Sequence, residues 1–347
     1  MVRRRPGRPR ESSDREDKKR QSLRDSLILF GRDIAVAVLV VLIVFGFIFL
    51  YTQNWPPEVV VESRSMSHSD TESSIGVIDT GDIVLVQVAP AKTNVVTWVE
   101  GRAIGHSTYS DFGDVIVYRP PTNPGDTPWI HRVILYLEWN VTSNRSYDVP
   151  SLLGLPRADW VAWDAGGSNL EFPFNITGSV YLKHLGFRGD LGITFNLAEL
   201  ITQGYRQDGY ITMGDYNSDR DCSAVRDPCP ARPYDRWVVP HANVIGKARG
   251  ELPSFGLIKL LVAPTPSCCR SWGDPSAPKN SWDALAVSIV LLIAAPFLID
   301  YGWTFGTKRW KSWRARREEE PAEVGDDVGI EDEPEEPPPP DEYEGPI

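Results

Sequence analysis

The chain has 347 residues, with 36 Lys and Arg against 47 Asp and Glu, for a formal net charge of −11. That length would accommodate two or three soluble domains, but two long apolar stretches take the chain out of the wholly soluble class. No stripe of basic and aromatic residues marks the region between them, which argues against nucleic-acid binding.

Residues 1–33 mix Arg, Lys, Asp and Glu and read as a basic arm that is either disordered or lies near anionic headgroups. Residues 34–51 carry no charge and are dominated by Leu, Val, Ile and Phe. With its flanks this stretch is long enough to span a bilayer, which takes roughly 20 apolar residues. The sequence after it, Tyr51-Thr52-Gln53-Asn54-Trp55-Pro56-Pro57, lacks a small-x-small cleavage pattern, so a retained anchor is expected rather than a removed leader. A second span is expected over 284–305, with Pro296 inside it. Basic residues precede the first span (Arg3, Arg4, Arg5, Arg8, Arg10) and follow the second (Lys308, Arg309, Lys311, Arg314, Arg316, Arg317). The positive-inside bias then places both termini in the cytoplasm and residues 52–283 outside, as a multi-pass cell-membrane protein. The end of the chain, 306–347, starts basic and becomes an acidic, Pro-rich tail that cannot bury enough apolar surface to fold.

The outer region reads as mainly β. Pro56 and Pro57 impose an extended exit from the membrane. Gly81-Asp82-Ile83-Val84-Leu85-Val86 and Gly113-Asp114-Val115-Ile116-Val117-Tyr118 read as strands after Gly-Asp turns, with a polar insertion over 97–112 between them. Residues 129–137 form a third strand carrying His131. Residues 138–209 read as an accessory β-rich insertion with one helix near 197–202. Strands return at 210–213, 237–240 and 244–248, and residues 252–283 form a Pro-rich linker. The β-rich outer domain thus spans 52–251.

All four cysteines, Cys222, Cys229, Cys268 and Cys269, fall in the outer region, where disulfides persist. Their spacing matches no zinc site. Three pairings are open; Cys222 with Cys229, closing a small loop, is favoured. Sequons at Asn140, Asn144 and Asn175 also suit an outer surface.

Three segments carry candidate chemistry. Ser63-Arg64-Ser65-Met66 offers a hydroxyl nucleophile close to the membrane, and a serine needs a nearby base. Ile130-His131-Arg132-Val133 offers the imidazole. Met213-Gly214-Asp215-Tyr216-Asn217 offers a carboxylate, with Asp219 and Asp221 close behind.

Taken in order with Gly81-Asp82, Gly113-Asp114 and Ile245-Gly246-Lys247, these segments resemble type I signal peptidases of the archaeal and endoplasmic-reticulum branch, over roughly residues 59–261 apart from the insertions. The bacterial branch has Lys where this chain has His131. The resemblance implies a signal-peptidase-like β catalytic domain on transmembrane helices. It implies Ser65 as nucleophile, His131 as general base, and Asp215 or Asp221 as the acid. Ser63 and the Ser65 N–H would hold the oxyanion. The implied substrates are signal-peptide-bearing precursors of exported proteins, cut after small residues without metal or organic cofactor. Membrane lipid and the translocation channel are the implied surroundings. Arg64 and His68 stand where the family usually has Gly and Pro. Two rival readings stay open: a Ser/His peptidase with another membrane-proximal substrate, and a non-catalytic β domain that binds exported proteins or partners.

Overall fold

A computed structural model describes residues 11–319 other than residue 124. Contacts divide the chain into two compact units, Met1–Ser288 and Ile289–Ile347.

The first unit starts with helix α1 (Glu11–Thr52). Residues 11–33, expected to be disordered, belong to it. Their Glu, Lys, Arg, Gln and Leu are strong helix formers, and extending an existing helix costs far less than nucleating one. Within α1, Ser26–Thr52 is long and apolar enough to cross a membrane. The end of α1 docks on the domain: Val88 N donates to Thr52 O at 2.9 Å and Gln87 Nε2 to Tyr51 O at 3.1 Å.

The chain then forms β1 (Glu58–Val60), β2 (Ile83–Gln87), α2 (Trp98–Ile104), β3 (Ser107–Thr108), β4 (Asp111–Phe112), β5 (Val115–Tyr118), β6 (Trp129–Trp139) and β7 (Tyr147–Asp148). There follow β8 (Trp160–Trp163), β9 (Asn169–Leu170), β10 (Ser179–Leu185), β11 (Leu191–Asn196), α3 (Leu197–Thr202), β12 (Gly209–Met213), α4 (Asp215–Asp221), β13 (Val244–Leu252) and α5 (Gly256–Val262). Last comes α6 (Lys279–Glu319), which contains Pro296 and includes a second helix stretch, Lys279–Trp313, long and apolar enough to span a membrane. It begins five residues before the expected span, and α5 also lies in what the sequence marked as linker. The acidic tail from 320 and the arm before 11 lie outside the described residues.

Seven strands make the main sheet, in the order β1-β2-β13-β5-β6-β12, with β7 on β6. The pairings are antiparallel. A late strand, β13, inserts between two early ones, so residues far apart in sequence meet across the sheet. The insertion forms a second, four-stranded sheet, β11-β10-β8-β9. Its Val180, Leu182, Ile193 and Phe195 share one buried cluster with Ile134, Leu135, Ile211 and Met213 of the main sheet, so the insertion is packed onto the sheet that carries the site. The mainly β character of the domain agrees with the reading of the sequence.

Two local readings change. Residues 97–112 contain α2, started by a capping box in which Thr97 accepts from Glu100 N and Glu100 accepts from Thr97 N, and ended by Gly105 at φ 77°. Thr-x-x-Glu followed by Gly is a helix signal that the polar composition concealed. Residues 237–240 make only an isolated bridge, Tyr210 to Val239; Pro240 has no N–H to extend a ladder.

At the start of β2, Asp82 is buried and accepts from Asp79 N and Ser254 N, each at 2.8 Å. Burial pushes its carboxyl up to about 7, helped by the neighbouring charges of Asp79 and Glu251, whose own carboxyls are also raised, chiefly by burial. In the unfolded chain these groups ionise near pH 4. The folded state therefore holds more protons between about pH 4 and 7, and stability falls as pH rises through that window. The thermal midpoint of the detergent-solubilised chain is expected to drop across this window, and Asp82→Asn to make the slope shallower; an unchanged slope in the variant would contradict the assignment.

Candidate active site

Strand β6 places the two central side chains. Neighbouring residues on a strand face opposite sides, so His131 and Arg132 serve different environments.

Arg132 is fully buried. Its Nε donates to Asp215 Oδ1 at 2.9 Å and one terminal nitrogen to Asp215 Oδ2 at 2.7 Å. The remaining donors reach the carbonyls of Thr108, Tyr109, Asp111 and Phe112. Arg132 thereby ties the β3–β4 hairpin to the start of α4. Burial pushes the Asp215 carboxyl up, but the Arg132 charge and the bond from His68 outweigh it, and the net direction is down.

His131 is also buried, with its Nδ1 2.7 Å from Asp235 Oδ2. The same oxygen accepts from Tyr118 OH at 2.7 Å and Thr212 Oγ1 at 2.6 Å. Burial pushes the Asp235 carboxyl up; the His131 charge and these three bonds outweigh it, so the acid is held below the usual range. Asp235 sits there because its N–H donates to Thr212 O at 2.9 Å and Tyr234 bridges Met213. An ionised carboxylate on Nδ1 fixes the tautomer that leaves Nε2 free to accept a proton.

Ser65 comes to the same place by a different route. Met66 is buried with Val61, Ile78, Val84 and Val115 and anchors the loop. The Ser65 carbonyl accepts from Tyr216 N at 3.0 Å. Gly214 runs between the two halves: a Cβ there would lie 2.5 Å from Ser65 O and 3.2 Å from His131 Nε2, so only glycine allows this approach. Ser63 Oγ lies 3.4 Å from Ser65 Oγ. Ser63, Ser65 and His131 all line one cleft of about 1190 Å³, together with residues of β1, Trp129 and the start of α4.

The structure therefore brings Ser63, Ser65 and His131 together but not the two acids the resemblance named. Asp215 is engaged by Arg132 and His68 rather than by His131. Asp221 pairs with its neighbour Arg220 at the surface, and Asp219 pairs with Arg226 and Arg188. The carboxylate on His131 is Asp235. The sequence concealed it because α4 and the loop closed by the Cys222–Cys229 disulfide separate it from Gly214-Asp215. The available signal was Tyr234-Asp235 just ahead of the apolar Trp237-Val238-Val239. His68, close to Ser65 in sequence, bonds Asp215 through Nε2 at 3.0 Å and stacks on Phe187 with centroids 3.9 Å apart. Cys268 pairs with Cys269. Among the described residues no group of His, Cys, Asp and Glu is arranged to hold a metal ion. No family model matches the chain, and no curated protein matches it.

Proposed function

We propose that the chain is a membrane-anchored serine endopeptidase that removes signal peptides from exported precursors, in the manner of archaeal and endoplasmic-reticulum type I signal peptidases. The observation that carries this reading is the shared cleft of Ser65 and His131, with Asp235 bonded to the far nitrogen of the imidazole. Ser65 Oγ attacks the scissile carbonyl as its proton passes to His131 Nε2. The new oxyanion is met by the Ser63 hydroxyl and the Ser65 N–H, one such donor being worth about 3 kcal/mol. His131 then gives its proton to the leaving amine. In the second half it takes a proton from water, which hydrolyses the ester, and returns it to Ser65. Asp235 stays ionised and steadies the imidazolium.

Two apolar helices suit a protease whose substrates lie at a bilayer surface, because tethering raises the local concentration of the reacting groups. The basic flanks give the orientation, with both termini cytoplasmic and the cleft outside, where precursors leave the translocation channel. The test is incubation of the detergent-solubilised chain with a precursor bearing a small-x-small site. A cut after the second small residue, lost in Ser65→Ala, supports the reading. A chain that captures the precursor and never cuts it supports a binding module instead.

A further inference from the structure

Arg64, beside Ser65 where the family usually has Gly, makes contacts that the proposed catalysis does not use. Its Nε donates to Ser276 O at 3.1 Å, a residue 212 positions later, and a terminal nitrogen donates to Pro275 O. It forms no ion pair with a carboxylate among the described residues. The segment it grips, residues 263–278, runs from α5 back toward α6. Thr265, Pro266 and Ser267 of that segment line the same cleft as Ser65 and His131.

The segment is stiffened from within and fastened a second time. The Asp274 carboxylate accepts from Arg270 N at 2.8 Å and Ser276 N at 2.9 Å, and Trp282 Nε1 donates to Asp274 O at 3.1 Å. Asn280 exchanges two bonds with Ser73, at 2.8 and 2.7 Å. A guanidinium bonded to two successive carbonyls holds both position and angle, which a lysine point charge does not. Moving the nucleophile loop therefore moves this wall.

We propose that residues 263–278 form a specificity wall of the substrate cleft, that Arg64 pins it, and that the small, polar Thr265-Pro266-Ser267 surface limits the size of the substrate side chains beside Ser65. The inference rests on the peptidase reading. Its test compares the full-length chain with Arg64→Ala and Arg64→Lys on precursors carrying Ala, Val or Leu at the residue before the bond or the third residue before it. In Arg64→Ala the preference for Ala over Leu, as a ratio of kcat/KM, is expected to fall by about tenfold or more, the scale on which apolar pockets discriminate size. Arg64→Lys should restore only part of it. Hydrogen exchange of the amides over 270–278 should quicken in Arg64→Ala. An unchanged preference in a variant that still cuts overturns the specificity wall alone. Unchanged exchange overturns the pin. A parent chain that cuts no precursor overturns the peptidase reading and the specificity role with it, while the exchange measurement still decides whether Arg64 pins the segment.

Discussion

Asp235→Asn is expected to slow precursor cleavage by about 10³-fold or more while the domain stays folded. The amide oxygen can replace Oδ2 as acceptor for the Tyr118 and Thr212 hydroxyls, which keeps the local packing. It cannot replace the negative charge that opposes the imidazolium. An amide turned the other way points its NH2 at Nδ1 and reverses the tautomer, which removes the base altogether. Single-turnover rates, with folding checked by circular dichroism, measure the effect. Asp221→Asn serves as the control, since Asp221 is a surface partner of Arg220 and substitutions at such positions usually change stability by no more than about 0.5 kcal/mol. A variant pair in which Asp221→Asn is inactive and Asp235→Asn is not would reverse the assignment.

Asp215→Asn is expected to act chiefly on stability, lowering it by about 3–5 kcal/mol, because it removes the closest counter-charge of the buried Arg132 guanidinium and leaves it the Asp111 carboxylate at 3.7 Å. Denaturant midpoints of the full chain in detergent read this. The pH dependence carries the same signature. Asp215 is held below its usual range in the folded state, so its contribution is present above about pH 4, the ordinary carboxylate value. That contribution is lost as pH falls through the lowered folded value. Parent and Asp215→Asn should therefore converge in stability at strongly acid pH. A midpoint in Asp215→Asn equal to that of the parent at neutral pH would show that the carbonyls and Asp111 satisfy Arg132 without Asp215.

Much of this site was legible because its parts lie on short-range patterns. β-branched runs after Gly81-Asp82 and Gly113-Asp114 mark β2 and β5, and Trp129 to Leu137 marks the strand that carries His131. Ser65 is legible from its place between an apolar helix and Met66, a residue the fold buries. Asp235 was not legible as the partner of His131, because a tertiary return brings it there. Residues 214–233 leave the sheet, run through α4, close a disulfide loop and bring Asp235 back beside Thr212, and no local pattern records that detour. Asp215 was named as a candidate acid by the resemblance, from its place in Gly214-Asp215-Tyr216-Asn217. What decides its role is Arg132, which alternation along β6 turns away from His131. The helical character of 11–33 was missed for the opposite reason: charge suggested disorder, while the same residue types are good helix formers once a neighbouring helix supplies the nucleus.

The measurement that bears most directly on the whole account is cleavage of a small-x-small precursor by the parent chain, Ser65→Ala and His131→Ala, side by side in detergent, with the new N-terminus sequenced. The parent is expected to make a single cut after the second small residue and either variant none, all three being equally folded. Cleavage by Ser65→Ala at the parent's rate would contradict the account and require a different nucleophile.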